Sequence, residues 1–479
     1  MKTRPNSDLP ANLPPTPKSI EVLSALEQPE GLRLIRSLVF ALLMGAAGGA
    51  ACTLVRLGFR GLQWCFTGHS GMPPDAAAAL PPYGRLIVPI VGGVLGWIVL
   101  HLYHRSGRAQ KAVDYVEAAR ETGGDIPFVP TAVRTLSSAF SVATGAAIGR
   151  EGSMIQFATA VCAWIGERLH SVKSTNRLIS FLQVDPLDKS TRSRMVAYGV
   201  AAGVAAAYQA PIAGAFFASE IAIGATRLRD MPALLLASFT GWLISNPLLG
   251  PGPLFPAPAA IGYPTKQWLW LLPLAVLLGA LGPGYQWLVR QSMRAARKLP
   301  VSFAWGGAVV GLLSLATPLV WGNGDRALFT LTHISSNGIL TGASTSFIST
   351  ALVWGIGLLA ARLLATCFCV GAGVAGGVFT PTVFAGACMG LVIALLLHVS
   401  MPLLFVLAGI SCLLAAVTHA PLMTSFMTVE LTGKWELLPL FYLVSLLAWR
   451  IALRISSRSM YAIATTVPSE ETRIAVERS

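Results

Sequence analysis

Apolar segments with few charges recur along the chain near residues 38–55, 86–102, 131–148, 196–222, 231–248, 268–289, 303–321, 347–370, 378–399, 402–429 and 437–453. A straight helix needs about 20 apolar residues to cross a bilayer. Several of these segments are shorter or are broken by Gly and Pro, so the pattern predicts full spans mixed with re-entrant and half-length helices, with no strands. The polar stretches divide the chain into a tail (1–36), a first transmembrane half (37–246), a Pro/Gly-rich connection (247–266), a second half (267–462) and a tail (463–479). The first 36 residues lack a basic cluster leading into a short apolar core, so they read as a tail and not as a cleaved signal. The residues after Arg454 are too few for a further folded domain.

An internal repeat organises these segments. Gly199-Val-Ala-Ala-Gly-Val-Ala-Ala-Ala-Tyr-Gln-Ala-Pro211 and Gly409-Ile-Ser-Cys-Leu-Leu-Ala-Ala-Val-Thr-His-Ala-Pro421 share Gly, Ala-Ala and Ala-Pro in register, and Glu220 and Glu430 follow at the same distance from each proline. Upstream, the break Gly149-Arg150-Glu151-Gly152 has a counterpart in Gly371-Ala-Gly-Val-Ala-Gly-Gly377. The extra length of the first copy falls in the polar stretch 167–194, read as a loop. Transporters are often built from inverted repeats that hold their substrate between the N-termini of broken helices from both halves. Glu220 and Glu430 are expected to cap helix ends and not to carry a transported ion.

Composition narrows the class. The chain is 54% hydrophobic and only 12% charged, which no ordinary soluble domain matches. Its net charge of +14 comes from connections and tails dispersed between apolar spans, a distribution that excludes a nucleic-acid-binding module and marks candidate cytoplasmic sides. The seven cysteines lie mostly in apolar segments without zinc spacing and read as small buried hydrophobes. No convergent set of metal ligands, nucleophile or acid and base is present, so the chain is read as neither an enzyme nor a cofactor protein. One feature demands chemistry: Glu151 lies inside an apolar segment, where an ionisable group costs about 2.5–3.5 kcal/mol and usually serves an ion or proton pathway. The glycines around it let the backbone leave helical geometry, and a helix restarting beyond them points free amides into the gap. A carboxylate among backbone donors favours an anion, although a cation-coupled transporter of an organic substrate also fits the repeat alone.

Gly149-Arg150-Glu151-Gly152, Gly377-Val378-Phe379-Thr380-Pro381 and Tyr461 resemble, in order and over residues 38–462, the motifs of the CLC family of chloride channels and anion/proton exchangers. With Pro318-Leu-Val-Trp-Gly-Asn-Gly324, they are most similar to a bacterial branch described as voltage-gated chloride channels. The resemblance implies an all-α polytopic homodimer of the inner membrane, with an inverted repeat and a chloride pathway in each subunit. Glu151 would be the gating glutamate. Gly149, Arg150, Gly152, Val378, Phe379 and Tyr461 would line the anion path. Two departures stand out. The family's Gly-Ser-Gly-Ile-Pro motif is matched only by Ser106-Gly107, making Ser106 the candidate hydroxyl, with Arg105, Arg108 and Lys111 as nearby charges. Where many exchangers carry an internal proton-relaying glutamate, this chain has Ile221. Passive or voltage-gated chloride conduction is therefore expected, with chloride/proton exchange as the alternative.

Overall fold

The computed structural model describes residues 30–107, 109–171, 189–250, 252–257, 266–296, 301–336 and 345–461. Both expected tails beyond these limits, Arg108, residues 172–188 of the expected loop and residues 258–265 of the expected connection lie outside them. The first half comprises α1 (Glu30–Thr67), α2 (Pro73–Ala79), α3 (Pro82–Arg105), α4 (Tyr115–Arg120), α5 (Phe128–Ala143), α6 (Glu151–Ser171), α7 (Lys189–Tyr208), α8 (Pro211–Phe216, continued as a π-helix over Phe217–Ile223) and α9 (Met231–Leu249). The second comprises α10 (Leu271–Ala296), α11 (Ser302–Ala316), α12 (Asp325–Ser336), α13 (Thr345–Gly371), α14 (Phe379–Leu396), α15 (Pro402–Thr418), α16 (Pro421–Thr432) and α17 (Leu438–Ile455). Among the described residues there is no strand, only one isolated bridge between the halves.

Among the described residues, seven helices (α1, α3, α9, α10, α13, α14 and α17) are long and apolar enough to cross a membrane. Among the rest, α8 and α16 are short because the sequence interrupts the chain just before them. The expected apolar run 196–222 breaks at Gln209, whose left-handed φ of 56° turns the chain before Pro211 starts α8. His419, at φ 59°, does the same before Pro421 starts α16. Proline at the first helical position has no N–H to satisfy, so each break costs little on that side. α15 is buried along its entire length, as a helix apolar on every face should be. Leu54 (65% exposed) and Val353 (71%) instead face outward, as lipid contact requires.

Matched elements of the halves pack in matched ways. Gly45 of α1 approaches the backbone of Ala237 on α9 so closely that a Cβ would overlap it, and Gly279 of α10 meets Ala448 of α17 likewise. Small residues give such backbone contact where lipid provides no hydrophobic drive between helices. Phe216 and Phe426 stack face to face across the repeat, with centroids 4.9 Å apart and planes 5° apart.

The two repeat glutamates explain their spacing. Glu430 Oε1 and Oε2 accept from Ile212 N (2.9 Å) and Ala213 N (2.7 Å) at the start of α8. Glu220 Oε2 accepts from Met423 N (2.7 Å) at the start of α16. Each half thus caps the broken helix of the other, supplying an acceptor to N–H groups that have none within their helix.

Candidate functional site

The two glycine breaks meet as antiparallel backbones. Gly149 N donates to Gly377 O (2.7 Å) and Gly377 N to Gly149 O (2.8 Å). A Cβ on Gly152 would lie 2.8 Å from Gly377 N, so glycine is what permits the approach. The contact sets the N-terminus of α6, at Glu151, beside that of α14, at Phe379. No side chain caps α14. Ser153 donates to Ser138 Oγ (2.7 Å), which donates to Ala375 O (2.5 Å), tying α5 and α6 to the second break.

The Glu151 side chain is 3% exposed and lies between the breaks. Its Oε1 accepts from Asn323 Nδ2 at 2.6 Å, and its Oε2 from Thr380 Oγ1 at 3.1 Å. A hydroxyl has one proton, so Thr380, donating to the carboxylate, accepts from Tyr208 OH, 3.2 Å away. Arg150 is no simple counter-ion: its Nε is 3.7 Å from Oε1, and its far end lies 3.5 Å from Asp325. Glu151 is therefore not the isolated acid that its segment suggests, because Asp325 shares Arg150 with it. Arg56, buried on α1 and within electrostatic reach of Glu151, donates to the carbonyls of Ala206 (3.4 Å) and Ala207 (2.5 Å) at the end of α7. The carboxylate is held chiefly by neutral donors.

An aromatic row leads away from Glu151. The Phe379 ring lies 5.0 Å from that of Tyr208 and 6.1 Å from that of Phe217, and Phe217 lies 5.6 Å from Tyr461. The Tyr461 and Tyr115 hydroxyls lie within electrostatic reach of each other. Gln156 fixes the backbone there, accepting from Tyr115 N (2.9 Å) and donating to Val113 O (2.7 Å). The structure thus gathers Gly149, Arg150, Glu151, Gly152, Val378, Phe379 and Tyr461 around the two breaks and the aromatic row. It does not bring Ser106 to them. Ser106 is exposed at the end of α3, and its hydroxyl donates to Tyr103 O (2.7 Å). Asp114 and Tyr115, at the start of α4, occupy the place beside Tyr461 instead. Asp114 accepts from Val116 N (2.8 Å). Burial pushes its carboxyl above the ordinary range, opposed by that N–H and by Arg134.

Sequence reasoning missed Asn323, Tyr208 and Tyr115. Asn323 lies in the quoted motif 318–324, and Tyr208 lies in the repeat, where the second copy has Thr418; Tyr115 carried no signal. Ile221 is buried and apolar, as expected. Its carbonyl accepts from Arg120 (2.6 Å). All seven cysteines are free and six are buried; the exception is Cys65, which is exposed. No cluster that could hold a metal occurs among the described residues.

The sequence model described as voltage gated chloride channel matches residues 91–453. A voltage-gated ClC-type chloride channel ClcB of Salmonella dublin is 31% identical over 85% of this chain and 93% of its own. A ClcB-like protein of Ralstonia nicotianae is 34% identical over 91% and 98%. The chain belongs to the CLC family, whose members are membrane transporters and channels and not enzymes. Two solved structures share the fold: a slow cyanobacterial Cl−/H+ antiporter (TM-score 0.70, 20% identical, covering 93% of this chain and 99% of its own) and a CLC-type fluoride/proton antiporter (TM-score 0.66, 22% identical, 90% and 98%).

Proposed function

We propose that this protein conducts chloride passively across a bacterial inner membrane, through one pathway per subunit of a homodimer, and that Glu151 gates that pathway. The observation that carries the proposal is the seat of the Glu151 carboxyl group, buried between two antiparallel backbone breaks and held by an amide and a hydroxyl. A halide fits the same setting, since it needs donors without a fixed charge strong enough to trap it. Protonation or competition by the anion releases the carboxylate and opens the path. Uncoupled conduction is favoured by the residues at positions 220 and 221. Ile221 cannot bind a proton, and Glu220 is committed to the start of α16.

Proton-coupled exchange is the second reading, favoured by Asp114, an acid within electrostatic reach of Tyr461 on the far side of the aromatic row from Glu151. The two solved proteins of this fold named above are titled antiporters. Purified protein in liposomes under a chloride gradient, with the membrane potential clamped, separates the readings. Chloride efflux without uphill H+ movement is expected. Uphill H+ movement would establish the exchanger, and Asp114→Asn would then test its route.

A further inference from the structure

We propose that Asn323 is the latch of the Glu151 gate and that Arg362 positions it, so that this pair sets the pH response of conduction. The inference rests on the gate assignment above and extends it to two residues outside the glycine breaks. Asn323 is 4% exposed, and both ends of its amide are used. Oδ1 accepts from Asp325 N (3.2 Å), an N–H that can only donate, so the other end, Nδ2, must face Glu151 Oε1. The amide is thereby oriented before the carboxylate arrives.

The segment that presents Asn323 is fixed on two sides. Gly322 N donates to Gly145 O (3.1 Å), and the fully buried Trp321 ring covers Gly145, whose φ of 109° and lack of a Cβ make room for it. On the opposite side Arg362 of α13, 1% exposed, spreads its guanidinium over three carbonyls: Nη1 donates to Leu319 O (2.6 Å) and Val320 O (3.2 Å), and Nη2 to Gly322 O (3.0 Å). It also lies 5.0 Å from the Phe384 ring. A planar fork suits this task, whereas a lysine ammonium cannot span the same acceptors. α13 leads directly into the second break, so one helix positions both the latch segment and the backbone opposite Glu151.

The direction of the effect follows from donor chemistry. An ionised carboxylate only accepts hydrogen bonds, and Asn323 Nδ2 only donates, so their bond favours the ionised, seated Glu151. The other groups facing Glu151 are Arg150 beside it, Arg56 and Cys52 on α1, Tyr208 on α7 and, through Arg150, Asp325 on α12. None of their side chains donates a hydrogen bond directly to it.

The test measures chloride efflux from liposomes containing the full-length protein, at clamped potential, from acid to alkaline pH. Asn323→Ala should raise efflux at neutral pH and shift the ratio of seated to released gate by about tenfold, moving the efflux profile about one pH unit upward. Arg362→Lys should move the profile the same way and add nothing to Asn323→Ala. If Arg362→Lys does not fold, Trp321→Phe, which loosens the same segment against Gly145, takes its place. In a Glu151→Ala background, Asn323→Ala should change nothing. An unmoved profile in Asn323→Ala, alongside a pH-independent Glu151→Ala, would overturn the latch and leave the gate standing. So would an Asn323→Ala effect that persists without Glu151. A pH-dependent Glu151→Ala would instead overturn the gate assignment itself.

Discussion

Two pairs of broken helices in this protein meet carboxylates in opposite ways. At α8 and α16, Glu430 and Glu220 bond directly to backbone N–H groups of the other half, and neither has a rival for its place. At α6 and α14, Glu151 lies between the breaks and is held by the side chains of Asn323 and Thr380. The first arrangement is reciprocal and closes a two-fold contact around the Phe216–Phe426 stack; the second is single, since α14 starts at Phe379 where α6 starts at Glu151. A carboxylate that caps a helix of the opposite half cannot leave without exposing that helix end. One that bridges two side chains can be replaced by another anion. On the proposed function, the same functional group is structural at one pair of helix ends and exchangeable at the other.

The largest expected effect breaks the structural pair. Glu430→Ala removes two charge-assisted bonds and leaves two N–H groups without their acceptor, so it should lower stability by about 3 kcal/mol or more, read as thermal unfolding in detergent. Glu220, less buried, should give a smaller loss on the same substitution. The surviving folded protein should keep its native pH response. If Glu430→Ala unfolds no earlier than native protein, the reciprocal caps are not what holds the halves together.

Gly149→Ala tests the other pair. Its Cβ would fall 2.8 Å from both Glu151 Oε2 and Gly377 O, pushing the carboxylate off its seat and the breaks apart. A flattened pH profile is expected, with a stability loss of about 1–3 kcal/mol. Native conduction and stability in this variant would show that the antiparallel contact is incidental.

The smallest effect belongs to Asp114→Asn, which keeps an acceptor for Val116 N. Folding raises the proton affinity of this carboxyl, so its contribution to stability is greatest below the ordinary carboxylate range and falls as pH rises through the raised value. The variant should therefore melt later than native protein at neutral pH, with the difference disappearing in acid and with chloride efflux unchanged. Melting curves at two pH values check the sign.

The fold was largely readable because membrane burial writes itself into sequence as apolar runs, and because the repeat preserves the spacing of proline and glutamate. Glu151 and the two glycine breaks were readable for the same reason: a charge and a cluster of glycines stand out against apolar residues. What stayed hidden depends on contacts between distant segments. Asn323 lies 172 residues from Glu151, and the motif 318–324 that contains it does not reveal that its amide reaches that carboxylate. Ser106 is favoured by a partial motif match, yet α3 runs through to Arg105 and leaves it exposed, and Asp114 and Tyr115 at the start of α4 lie beside Tyr461. The exposed Cys65 escaped for another reason: in a membrane helix an apolar neighbourhood does not distinguish a core-facing from an outward-facing position.

The most direct measurement compares chloride efflux against pH for native protein and Glu151→Ala in liposomes, with thermal unfolding recorded for both. Efflux that is equal or faster and independent of pH in the variant, with unfolding little changed, is the predicted result. Efflux abolished in folded Glu151→Ala, or retaining the native pH dependence, would contradict the assignment of Glu151 as an exchangeable gate.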